Sequence, residues 1–138
     1  MYQELILDHS RTPHGYGLRD EIPAQSHQLN PTCGDEITLQ VHRGDDGTID
    51  AIAWEGHGCA ISQASASLLA ELAEGLSVPE LEVRIAAFRD AMRSRGTIAP
   101  DEELLGDAAA LGGVSKYVAR VKCAMLAWVA TEDALTRL

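Results

Sequence analysis

The chain has 138 residues, 46% hydrophobic and 23% charged, a globular composition of a size for one domain around one core. Its formal net charge of −10 argues against nucleic acid or an anionic membrane as a partner held by bulk electrostatics. No apolar run reaches the roughly 18 residues of a bilayer span, so no membrane partner is expected.

The first stretch, YQELILDHSRTPHG, predicts a helix over Tyr2 to Asp8 that ends before Pro13 and Gly15. It has no basic lead and carries Glu4 and Asp8 inside its apolar run, unlike a secretory signal. The expectation is therefore a cytoplasmic chain whose thiols stay reduced. Turn formers between Gly15 and Gln28 predict an irregular or partly extended segment. Glu36 to Arg43 then alternates Ile37, Leu39 and Val41 with Thr38, Gln40 and His42, the pattern of a half-buried strand. GDDG at 44 to 47 is a hairpin turn, and Ile49 to Glu55 resumes the alternation.

After GHGC the period changes. Ala60 to Glu74 reads as a helix stopped by Gly75, with Leu68, Leu69, Leu72 and Leu76 along one side. Its first turns hold only small residues at 60, 62 and 64 to 67, which would let other backbone approach closely. Ser77 and Glu80 form a capping box for a helix running to about Arg95, with Leu81, Ile85, Phe88 and Met92 inward. A helical turn near Asp101 to Leu105 and a glycine pair at 112 and 113 follow. Ser115 is then expected to cap a last helix to about Leu138, with Val118, Val121, Met125 and Trp128 or Val129 inward. The pattern is α+β: a small antiparallel β-sheet first, packed by several α-helices, in one domain spanning 1–138.

Three cysteines, an odd count, suit metal or thiol chemistry better than a disulfide framework. Cys33 stands in the loop before the first clear strand, with Asp35 two residues on and a permissive Gly34 between them. Cys59 begins the Ala60 helix, where the positive end of the macrodipole favours a thiolate. Cys123 lies in the last helix, just after Lys122 and three residues after Arg120, whose cationic side chains favour a thiolate as well. Three thiolates and a carboxylate would make a tetrahedral set suited to zinc. The same residues also read as buried core cysteines, a turn aspartate and a solvated cationic helix face. Spacing alone leaves both readings open.

The motifs NPTCGD at 30 to 35, GHGCAISQASASLL at 56 to 69 and RVKCAMLAW at 120 to 128 resemble the SufU type, the zinc-dependent relative of the IscU/NifU iron–sulfur scaffold family. Two departures from the scaffold branch carry the subfamily. Lys122 stands where that branch has a histidine before the third cysteine, and GGVSKYVARV replaces its proline-rich chaperone-binding stretch. The segment between Cys59 and Cys123 is also longer than in that branch.

The resemblance implies zinc on Cys33, Asp35, Cys59 and Cys123, with Cys33 the sulfur acceptor and Arg120 in a supporting role. It implies a SufS-type cysteine desulfurase as donor, downstream SUF scaffold proteins as recipients, and a partner histidine that takes a zinc position to release Cys33. The alternative it leaves is a scaffold holding a [2Fe–2S] cluster at the same cysteines. A third reading is a metal-stabilised adaptor without thiol chemistry. Among the histidines, His57 is expected as a loop residue, His9, His14 and His27 as ordinary exposed groups, and His42 as solvated. Trp54 and Trp128 are expected to pack.

Overall fold

The structure is a computed structural model and describes residues 2–19, 24–30 and 34–138. Three antiparallel strands lie in the order β1 (Gln25–Asn30), β2 (Asp35–Arg43), β3 (Ile49–His57). The alternation in β2 and β3 folds as its period predicts. Leu39 and Val41 pair across with Trp54 and Ile52 in a buried layer that Ile37, opposite Gly56, extends, and the turn at 44 to 47 is closed by Gly44 N–H donating to Thr48 O at 2.8 Å.

Strand β1 begins within the segment expected to be irregular or partly extended and runs two residues beyond it. Its sequence, QSHQLN, shows little alternation because its inward residues Ser26, Gln28 and Asn30 are polar. They find partners on the last helix: Ser26 Oγ donates to Asp133 at 2.6 Å and Gln28 Nε2 to the same carboxylate at 3.5 Å. Pairing and polar contacts between elements set this strand, and neither is a local signal.

The helices are α1 (Tyr2–Arg11), α2 (Ala60–Ala73), α3 (Val78–Arg93), the short α4 (Glu102–Leu105) and α5 (Val118–Leu135). The Ser77–Glu80 capping box opens α3 as read. The small residues of α2 admit neighbours closely. Ser65 Oγ donates to Ala124 O at 2.6 Å and accepts from Trp128 Nε1 at 2.8 Å, while Ser67 Oγ accepts from His14 N–H at 2.7 Å and meets His9 Nδ1 at 2.6 Å. Both tryptophans are buried, and Trp128 stacks on Phe88 with centroids 3.9 Å apart.

The entry to α5 differs from the expectation. Residues Gly106–Lys116 wind as a 3-10 helix, and Ser115 Oγ donates back to Gly112 O at 2.7 Å instead of capping α5. The helix starts after Tyr117. Its buried face is Cys123, Ala124, Ala127, Trp128, Ala130, Thr131 and Ala134, whereas Val118 and Val129 are exposed. Trp128 is inward as expected, with Val121 and Met125 partly buried against the core, but Val118 is not, and much of the inner face is alanine, which a search for large apolar side chains passes over. His42 also departs from its reading: it is buried and hydrogen-bonded to Gln40 Oε1 at 2.9 Å, and that oxygen also accepts from the backbone of Arg19. The Arg19 carbonyl in turn accepts from Gln40 Nε2 at 3.1 Å.

Candidate metal centre

Asp35 opens β2 in the same inward phase as Ile37 and Leu39, and it is 0% exposed. Its Oδ1 accepts from the backbone N–H of Cys59 at 3.0 Å. Its Oδ2 is buried with no hydrogen-bond partner among the described residues. Such an oxygen costs free energy unless a cation or a donor meets it.

Cys59 is the N-cap of α2, in extended conformation, and its own side chain makes no capping bond. A carboxylate from another strand thus fastens the start of this helix. Gly58 makes that possible: a Cβ there would stand 2.9 Å from Asp35 Cγ and closer still to its Oδ1 and to Ser62 Oγ. Ser62 Oγ donates to Cys59 O at 3.0 Å and lies 4.0 Å from the Cys59 sulfur.

Cys123 reaches the same point from α5 and is 0% exposed. One ligand atom from each of Asp35, Cys59 and Cys123 lies within 4.8 Å of the other two. Arg120, one turn before Cys123, stands beside both sulfurs. Negative charge on Cys59, then on Cys123, holds its guanidinium proton more tightly than usual, with desolvation acting against them.

Of the four predicted ligands, these three converge, and Cys33 lies outside the described residues. The hairpin end that carries it is tied by Gly34 N–H donating to Asn30 O at 2.8 Å. Gly34 itself has φ +72°, a left-handed conformation that side-chained residues resist. Two thiols and an orphaned buried carboxylate oxygen within bonding reach of one point fit a thiolate-rich cation site of the zinc kind.

His57 stays outside this group. It is exposed and meets Glu36 Oε1 at 3.1 Å, while His27 meets the other Glu36 oxygen at 2.5 Å. The His27 hydrogen bond is the largest cause holding the Glu36 carboxyl below its ordinary value. His9 is half-buried against Ser67 rather than simply exposed, and it groups with Glu71 and Asp107 on the far side of α2. His14 meets Glu74 at 2.5 Å. Sequence reasoning missed Gly58 and Asn30. Both stand inside quoted motifs, but only proximity to Asp35 and Cys123 gives them a role.

Beside Cys59 a groove of about 650 Å³ opens between α1, α2 and the start of α5, walled by Ile6, Ile61, Val114 and Tyr117 with Lys116 and Arg120 at its rim. No helix among the described residues is long and apolar enough to cross a membrane.

Residues 1–124 match the model of the NifU-like N terminal domain. The chain belongs to that family. Among its relatives are the "Iron-sulfur cluster assembly scaffold protein IscU" of Streptococcus pyogenes serotype M1, 38% identical over 99% of this chain and 84% of the relative. The "Zinc-dependent sulfurtransferase SufU" of Bacillus subtilis (strain 168) is 39% identical over 99% of this chain and 90% of the relative. A crystallised protein of Fervidobacterium islandicum AW-1, described as a candidate iron-sulfur cluster assembly scaffold protein for the SUF system, superposes with TM-score 0.83 at 34% identity, covering 96% and 94% of the two chains. The α+β fold read from the sequence is the fold of this family.

Proposed function

We propose that the chain is a zinc-dependent sulfurtransferase that accepts persulfide sulfur from a SufS-type cysteine desulfurase and relays it toward iron–sulfur cluster assembly. The observation that carries this is the buried Asp35 carboxylate, which has an oxygen within 4.8 Å of the sulfurs of Cys59 and Cys123 and whose Oδ2 has no hydrogen-bond partner among the described residues. Asp35, Cys59, Cys123 and Cys33 would hold the ion, and zinc when bound would supply the charge that keeps the thiols ionised.

The chain's own residues divide the work. Asp35 holds the start of α2 through Cys59 N–H, and Cys123 is fixed within α5. Cys33 directly precedes the left-handed Gly34 in the sequence, and in this reading it is the ligand that is released. Its thiolate attacks the outer sulfur of the donor's cysteine persulfide. One sulfur–sulfur bond forms and one breaks, and the donor cysteine leaves as a thiolate without net oxidation. Arg120 stands where it offsets negative charge on the sulfurs. This chemistry requires reduced thiols and so a reducing compartment, the cytoplasm in this reading.

The likeness to a relative named as an IscU scaffold favours a second reading, a [2Fe–2S] cluster assembled at the same side chains. Lys122 in the place of a histidine ligand speaks against it. Cysteine turnover by the desulfurase, with the zinc-loaded chain and with Cys33→Ala, separates the two. Stimulation that needs zinc and Cys33, with persulfide mapped to Cys33, supports relay. No stimulation, together with uptake of iron and sulfide into a coloured centre, supports the scaffold.

A further inference from the structure

The inner face of β1 meets α5 at two stations. Ser26 and Gln28 turn to Asp133. Asn30, at the end of the strand and 5% exposed, turns instead to a sulfur: its Nδ2 donates to Cys123 Sγ at 3.9 Å. Its backbone carbonyl meanwhile accepts from Gly34 N–H. One residue therefore ties the hairpin end to the Cys123 thiol.

An N–H donor on a thiolate draws charge from the sulfur. It fixes the direction of the sulfur lone pairs and lowers their nucleophilicity, as groups around a metal ligand commonly do. Arg120 stands beside both sulfurs, so the Asn30 amide is what sets Cys123 apart: Cys59 is half-exposed and opens onto the groove, with Ser62 Oγ at 4.0 Å.

We propose that Asn30 is a positioning residue whose amide fixes and quiets the Cys123 sulfur, so that Cys123 remains a resident ligand while incoming sulfur goes to Cys33. The last clause rests on the relay reading; the hydrogen bond and its effect on Cys123 do not.

The test uses the full chain loaded with Co(II), as wild type, Asn30→Asp and Gln28→Ala. Aspartate keeps the shape of asparagine and replaces the donor with an acceptor. The expected result for Asn30→Asp is a thiolate-to-cobalt charge-transfer band moved to longer wavelength. Alkylation of Cys123, mapped by mass spectrometry, should quicken by about tenfold. Gln28→Ala, which loosens the same strand–helix contact away from the sulfur, should change neither. An unmoved band with unchanged Cys123 alkylation overturns the proposal, and so does the same response from Gln28→Ala. Should Asn30→Asp not fold, wild-type protein loaded with ¹¹³Cd decides. Scalar coupling between the Asn30 side-chain amide proton and cadmium is expected, and its absence overturns the proposal. If these signatures appear but no sulfur reaches Cys33 from the desulfurase, the relay reading fails and the donor role of Asn30 stands.

Discussion

Adding one methyl group at Gly58 should cost the centre its carboxylate. An alanine Cβ would lie 2.9 Å from Asp35 Cγ, about 0.6 Å inside the ~3.5 Å at which two carbons attract, and nearer still to Oδ1 and to Ser62 Oγ. Asp35 is buried at the start of β2, so the least costly escape is rotation of its carboxylate away from α2. That breaks the 3.0 Å bond from Cys59 N–H and leaves a buried donor unmet, a loss of about 1–3 kcal/mol. The rotated carboxylate no longer faces Cys59 and Cys123. Zinc affinity should then fall by about 10–100-fold, the scale seen when groups supporting a metal ligand are removed. Competition against a chromophoric chelator measures the affinity, and thermal unfolding of the metal-free protein measures the strain. Gly113→Ala is the control, since no described atom lies within 4 Å of its added Cβ. It should alter stability by no more than about 0.5 kcal/mol. Wild-type zinc affinity in Gly58→Ala would refute the reasoning, because Asp35 could then hold its place against a clash.

Three further outcomes are expected. Asp35→Asn keeps an oxygen for Cys59 N–H but removes a buried carboxylate, so the metal-free melting temperature should rise while the gain on zinc loading shrinks; parallel changes with and without chelator would contradict this. Trp128→Phe deletes the indole bond to Ser65 Oγ and keeps the stack on Phe88, costing about 1–2 kcal/mol in urea unfolding with an unchanged m-value. Asp133 is held below its ordinary value chiefly by the Ser26 hydroxyl and then by Arg137, so its ionised form stabilises the fold above the ordinary aspartate value near ~3.9, and that contribution is lost as pH falls through the lower folded value. The melting temperatures of wild type and Asp133→Asn should therefore differ at pH 6 and draw together as pH falls below the ordinary aspartate value.

What could be read in advance followed from how local each signal was. The β2–β3 hairpin carries both a period of two and a turn that fixes register, and the Ser77 capping box states its own helix start. Strand β1 carries neither, because its inward face is serine, glutamine and asparagine paired to α5. The inner stripe of α5 is legible only in part: Trp128, Val121 and Met125 mark it, but alanine and cysteine fill the rest where α2 comes close, and a hydrophobicity pattern weighs them little against exposed Val118 and Val129. Cys59 at a helix start was legible from GHGC and the small residues after it. Its fastening by Asp35 was not, since a carboxylate 24 residues away leaves no trace in either motif.

The three described candidate ligands are held by three different constraints, and this bears on the proposed exchange. Asp35 is locked by a backbone donor and by the glycine that admits it. Cys123 sits on a helix whose neighbouring turns pack against Ser65 and Phe88, with Asn30 at its sulfur. Cys59 is fixed through its backbone while its side chain borders the groove. Moving Asp35 or Cys123 would disturb β2 or α5 and the core behind them. Cys33 precedes Gly34 in the sequence, and Gly34 has a left-handed conformation between the two strands. Gathering these ligands also draws β2, α2 and α5 to one point, so occupancy should stabilise the whole fold and chelation should loosen all three together. In the proposed relay, release of Cys33 would leave in place the contacts named here for Asp35, Cys59 and Cys123.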